Sequence, residues 1–381
     1  MRDNVRRLVA MVAFLLIGAA ITAAQLDRSA RNSAGLALMM PAGFGGFADA
    51  RKALFVIESN PALAQSLMAG VLAHRPVSAG NLGLFARAAV ENDEVELASD
   101  VLTLAAARGW RDAYVQITVF GSAVAQGNYE AAALRLEALA RGQRDQSVVN
   151  LAIMQLITQE QGRQVLSERL AQSPGFENNF RAAAMANQDS SELFAATLRE
   201  AEAQGAKTDC AILSQITLIG YDSGKTGSEA TVWPSRCGTM DPDDLAFGRS
   251  ASPNPFGWIF HDVPGVTTRP GRDEGTLYFK NRDLVERPIA TKYLRLPQGA
   301  YRLSLNSDAS SSYSSFDQEA EMNAHILCGS RREGRDVALD RSSEGSFTFE
   351  IGPECGIQYV VLTARRGVRK GLEVSIDRIA S

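Results

Sequence analysis

Histidine and cysteine are scarce in this chain, and basic charge is not in excess. Its 381 residues include 3 His and 4 Cys. That supply does not build a His-rich metal centre, and without a CxxC pair there is nothing to seed a zinc ribbon. Lys and Arg number 39 against 43 Asp and Glu, a formal net charge of −4. A nucleic-acid binder usually carries the opposite balance. No GxSxG, HExxH, P-loop or strand-borne GxGxxG occurs, so the common signatures of acyl, metal-assisted and nucleotide chemistry are missing. No cofactor is expected. The 45% apolar and 22% charged residues exclude wholesale disorder, and the length suits two or three domains.

What is present begins with an export signal. Arg2, Arg6 and Arg7 precede an uncharged run from Leu8 to Ala24. That run is at the short limit for a membrane-spanning helix. A basic start, an apolar stretch and small residues at Thr22-Ala23-Ala24 also describe a cleavable signal peptide. No Cys follows the run, which disfavours a lipid anchor. Residues 1–26 are therefore expected to be a signal peptide or an inner-membrane anchor, with the rest of the chain periplasmic or exported. Residues 27–47, rich in Gly and Ala, read as a tether.

The four cysteines, Cys210, Cys237, Cys328 and Cys355, lie 27 apart within each local pair. An even count in an exported chain reads as disulfides. Of three possible connectivities the simplest is local, Cys210–Cys237 and Cys328–Cys355.

Residues 48–220 are rich in Ala, Leu, Glu, Gln and Arg, all good helix formers, with few Pro. Ala64, Ala98 and Ala132 are spaced by 34. Four residues on stand Met68, Leu102 and Leu136, and seven on stand Val71, Ala105 and Leu139. Each set is one apolar helix face, with a small residue where two helices approach closely. The segment Ala125-Gln-Gly127-Asn128-Tyr129-Glu130-Ala131-Ala132 reads as the turn between two such helices. This period and arrangement resemble the tetratricopeptide repeat. The other copies depart from it: Asp93-Glu94-Val95-Glu96 replaces the Gly-Asn-Tyr-Glu turn, and Trp110 and Arg144 replace the closing Pro. The resemblance implies an α-solenoid of helical hairpins with a groove for a protein partner.

Residues 221–253 shift to Gly, Ser, Asp and Pro and read as a linker. From residue 254 to 381 the apolar period becomes two, as in Tyr301-Arg-Leu303-Ser-Leu305, Phe347-Thr-Phe349-Glu-Ile351 and Leu372-Glu-Val374-Ser-Ile376. Around eight short strands without helical segments predict an antiparallel β-sandwich. The expected fold class is thus multi-domain α plus β. Asn254-Pro255-Phe256-Gly257-Trp258, Gln298-Gly299-Ala300-Tyr301 and Val374-Ser-Ile376-Asp377 resemble the jelly rolls of carbohydrate-binding modules. Many such modules hold a structural calcium, which the resemblance would place at Asp377. Gly257, however, stands where the first acidic ligand would be, so a turn or an ion pair is the favoured role of Asp377 and no metal site is assigned.

Sugars stack on aromatic rings that the core does not need. In the strand around Leu294 and Leu296, Tyr293 and Arg295 point away from the sandwich core, and Tyr278 does so beside Leu277 and Phe279. If those two strands are neighbours, Tyr278 and Tyr293 form one exposed patch, to which Tyr313 and Phe316 add loop aromatics. These five residues are the candidate glycan contacts. Asp241, Asp243 and Asp244 read as a solvated turn. The runs around Arg331–Arg335 and Arg365–Lys370 read as hairpin tips or as contacts for an anionic surface.

The combination resembles exported repeat-plus-jelly-roll proteins of bacterial exopolysaccharide and cell-surface glycan assembly. It implies a non-catalytic envelope binding or scaffold protein, with a protein partner on the helical repeats and glycan on the jelly roll. The alternatives are a polysaccharide-acting enzyme carrying a targeting module, for which no catalytic domain remains, and a purely structural assembly factor.

Overall fold

The computed structural model describes residues 2–41, 43, 46–76, 78–108, 112–142, 146–173, 175–225, 232–248, 254–307, 319–342 and 345–379. Among these residues there are 13 α-helices followed by an all-antiparallel β region. The chain divides into two compact units, Met1–Val149 and Asn150–Ser381.

The first unit opens with α1 (Arg2–Ala30), α2 (Ala34–Met39) and α3 (Phe47–Val56), followed by α4 (Pro61–His74), α5 (Ala79–Glu91), α6 (Val95–Arg108), α7 (Ala113–Ala125) and α8 (Tyr129–Gly142). Helix starts follow capping chemistry. The side chains of Asn60, Ser78 and Asp112 accept the N–H of Leu63, Asn81 and Val115 respectively, and Pro61 occupies a first-turn position where its missing N–H costs nothing. Helices pack in consecutive pairs, α3 with α4, α5 with α6, and α7 with α8. Two of the pairs share one turn. Asp93 (φ 61°) and Gly127 (φ 70°) both take the left-handed conformation, and the next residues, Glu94 and Asn128, donate their N–H back to Ala89 and Ala123 at 2.8 Å. Asp tolerates that conformation better than most side chains, which explains how Asp93 stands in for a glycine. Ala64, Ala98 and Ala132 are each the fourth residue of their helices, α4, α6 and α8, and each is buried.

The helix α9 (Gln146–Ile157) straddles the division. The second unit continues with α10 (Glu160–Gln172), α11 (Phe176–Ala186), α12 (Ser191–Ala203) and α13 (Cys210–Asp222). Its β region holds β1 (Ile259–Phe260), β2 (Val266–Pro270), β3 (Leu277–Asn281), β4 (Arg287–Leu294), β5 (Gly299–Asn306), β6 (Met322–Cys328), β7 (Arg335–Val337), β8 (Asp340–Arg341), β9 (Ser346–Ile351), β10 (Gln358–Ala364) and β11 (Gly367–Arg378). They form two sheets, ordered β1-β4-β10-β6-β7 and β2-β3-β11-β5-β9-β8. The strands that sequence alternation leaves unmarked are β2, β7 and β8, all at or next to sheet edges, where pairing is short and side chains stay wet.

The sandwich core lies between the sheets and takes Leu294, Ile326, Val360 and Leu362 from one and Leu277, Phe279, Leu303 and Phe349 from the other. The first sheet is also covered on its outer face. There Tyr293, Tyr359 and Val361 meet Tyr221 and Leu218 of α13 and Phe256. Strands buried on both faces lose the clean alternation that marks a half-exposed strand, and β4 is buried from Ile289 through Leu294.

Candidate functional site

The five sequence candidates separate in space. Tyr278 is on β3 and Tyr293 is on β4, which belong to different sheets, so they do not form one patch. The expectation that they are neighbours is corrected: β3 pairs with β2 and β11, and β4 pairs with β1 and β10. Tyr278 is half-buried, with the Arg269 guanidinium 4.5 Å from its ring centroid. Tyr293 points away from the sandwich core as expected, but it is not exposed. Only 2% of it is accessible, because α13 covers that face. Its ring packs against Tyr221 and Tyr359 with centroids 5.4 and 4.9 Å apart. Its hydroxyl donates to Asp222 and accepts from the Arg331 N–H. Burial, and next the Asp222 carboxylate, hold that phenol well above its ordinary range. Tyr293 therefore ties a helix to a sheet. Tyr313 and Phe316 lie outside the described residues. Asp377 is exposed on β11 opposite Arg302, and among the described residues no group of three or more His, Cys, Asp or Glu is placed to hold a metal.

Of the described candidates, Arg295 lines a cleft. It follows the last residue of β4, exposed, with its guanidinium 5.7 Å from the Phe256 ring centroid. The cleft has a volume of about 510 Å³ and is lined by Arg199, Glu202, Val232, Trp233, Pro234, Met240 and Arg295. Its wall is the segment 232–240, which has no regular secondary structure beyond the single 3₁₀ turn Ser235–Cys237.

Several independent contacts fix that wall. The Cys210–Cys237 disulfide, with Cα atoms 5.6 Å apart, joins it to the first residue of α13. Arg236 donates to Glu202 and to the Thr208 carbonyl, both at 2.7 Å, and lies against the disulfide sulfurs. The Val232 N–H reaches Thr217 Oγ1 at 3.4 Å. The Trp233 indole N–H donates to the Gly238 carbonyl at 3.0 Å, which fixes the half-buried ring, and Pro234 and Met240 line the cleft with it. Glu202 is held by Arg236 and by the Thr208 N–H at 3.1 Å. Nearby, partial burial and then the Asp209 charge raise the carboxyl of Glu177 above its usual range.

Beneath this region Lys292 is almost fully buried and donates to the Phe256 carbonyl. Burial pulls its amine down to about 8, against the opposing attraction of Asp244, Asp241 and Asp243. The acidic triplet thus faces a buried cation, while Asp241 and Asp244 also accept the N–H of Asp243 and Ala246 at 3.0 Å. The two basic runs are partly engaged in ion pairs, Arg335 with Glu354, Arg365 with Glu321 and Arg369 with Glu319. The second disulfide joins Cys328 to Cys355.

Trp233, Arg199 and Met240 carry no sequence motif. The signal that marks Trp233 is an aromatic in a Gly/Ser/Pro-rich segment four residues from a cysteine. The rule applied to the strands, that rings not needed for a core are candidates for binding, finds it once extended to the linker. No protein-family model matches the chain, and no curated protein matches it.

Proposed function

We propose that the protein is a non-catalytic binding or scaffold protein of the bacterial envelope, acting in the periplasm in exopolysaccharide or cell-surface glycan assembly, and that its glycan contact is the Trp233 cleft. The observation that carries the reading is the composition of that cleft. A preset indole face flanked by Pro234 and Met240 suits the C–H face of a sugar ring. Arg199 and Arg295 at its rim suit a carboxylate or other acidic substituent, since guanidinium groups pair with planar oxyanions in a bidentate way. The two disulfides and the apolar α1 support an oxidising, extracytoplasmic setting.

The helices of the first unit, with their shared turn and equivalent buried alanines, support a tetratricopeptide-like array that offers a protein partner an extended surface. The two-sheet β region supports the likeness to the jelly rolls of carbohydrate-binding modules. A glycan array probed with the purified full chain and with Trp233→Ala tests the assignment. Retention of acidic oligosaccharides by the native chain and its loss in the variant is the expected result. Retention unaffected by the variant removes the cleft from the account, and an array with no retained glycan leaves the purely structural role.

A further inference from the structure

The end of α1 is built into the first unit. The segment Arg7–Ala30 is 24 residues long, and its apolar 18-residue stretch has a mean hydropathy of 2.2 and is not buried at all. Its charge-free part, Leu8–Leu26, is 19 residues long and spans about 28 Å at 1.5 Å per residue, close to a hydrocarbon core of about 30 Å. At its far end Asp27 is buried and accepts the N–H of Phe47 at 3.1 Å and of Ala48 at 2.9 Å. These are the first two residues of α3, so a carboxylate on one helix caps another. A Cβ on Gly46 would meet Asp27 Oδ2 at 2.2 Å, so the approach needs glycine there. Arg75 lies 4.0 Å from the same carboxylate and stacks 3.8 Å from the Phe47 ring centroid. Ala30, Ala37 and Ala48 close the joint with no exposed surface. The bond after Ala24 lies inside the unbroken helix, three residues before this buried cap, where proteolysis first requires the helix to open.

Around the joint the surface carries both cations and apolar side chains. Arg28 and Arg31 are exposed. Arg31 and Arg51 line a cleft of about 480 Å³ with Phe47 and Leu54, and among the described residues the buried Nε of Arg51 has no hydrogen-bond partner. On α2, which packs on α1 and α3, Leu38 is 62% and Met39 83% accessible. Cations next to projecting apolar residues, where an apolar helix ends, match the chemistry of a bilayer interface.

We propose that α1 is retained as a membrane anchor and that this end of the helical unit sits on an anionic phospholipid surface, with Arg28, Arg31 and Arg51 toward the phosphates and Leu38 and Met39 in the acyl boundary. The anchor and the seat are one device: the Asp27 cap removes the play a tether would allow.

The test uses the full chain recovered from membranes after export. Its intact mass is expected to include residues 1–24. In nanodiscs containing phosphatidylglycerol, amide exchange in Ala34–Met39 is expected to be about fivefold slower than in phosphatidylcholine alone, the scale set by one cation at a charged surface. The double variant Arg31→Gln, Arg51→Gln should lose that lipid dependence while staying in the membrane. A mature chain starting at or after Gln25 overturns the anchor, and equal exchange in both lipids overturns the seat. Slowing by inorganic phosphate in phosphatidylcholine assigns the cleft to a soluble anion and likewise overturns it.

Discussion

Tyr293 and Lys292 are adjacent on β4 and point to opposite sides of it, yet both are buried, and both serve structure. The Tyr293 hydroxyl satisfies Asp222 at the end of α13 and accepts the Arg331 N–H. Tyr293→Phe leaves a partly buried carboxylate without its donor, and should cost about 1–3 kcal/mol in denaturant unfolding with no change in fold. Loss of glycan retention at unchanged stability would instead make Tyr293 a contact residue. Lys292 gives a pH signature. Its amine is held at about 8 in the folded chain against an ordinary 10.5. Between those values the unfolded chain binds a proton that the folded chain has released. Stability from this group therefore rises with pH across the window and is lost as pH falls through about 8. The native chain should gain on Lys292→Met by up to roughly 3 kcal/mol between those limits. A stability difference that stays flat with pH contradicts the buried, depressed amine.

At the scale of elements, the helical pairs depend on small residues at contact points. Ala98 is 1% accessible at the fourth position of α6, where a larger side chain has no room. Ala98→Leu should overpack the joint and cost on the order of 1–3 kcal/mol by thermal unfolding. An unchanged melting temperature would show that the position is open. The segment 232–240 relies on its bridge to α13. Opening a loop of this length is worth roughly 3.5 kcal/mol in the chain-entropy model. Replacing Cys210 and Cys237 by Ser should destabilise the second unit by that order and weaken glycan retention, whereas native retention would show that Arg236 and Trp233 hold the wall unaided. Much of this organisation is legible in the sequence. The 34-residue alanine spacing marks α4, α6 and α8, the period-two runs mark β5, β9 and the end of β11, and an even cysteine count with the simplest, local connectivity marks both disulfides. The covered outer face of the first sheet is not legible, because a strand roofed by a distant helix leaves no period. Nothing in Thr291-Lys-Tyr293-Leu says whether Tyr293 meets water or Tyr221.

For the whole molecule, an apolar N-terminal helix, a helical unit and a second unit joining helices to a β-sandwich account for the order of composition along the chain. The candidate site was the least legible part. It is assembled from α12, the end of β4 and an irregular disulfide-clipped segment, so its members lie nearly a hundred residues apart and share no motif. Of the described sequence candidates, Tyr278, Tyr293 and Arg295, only Arg295 lines it. Binding without turnover is the central claim, and equilibrium dialysis of a uronic-acid oligosaccharide against the full chain tests it most directly, with the recovered sugar sized by chromatography. The account predicts retention by the native chain, loss of retention in a Trp233→Ala chain that keeps its fold by circular dichroism, and sugar recovered at its original length. No retention, or a shortened sugar, would contradict it.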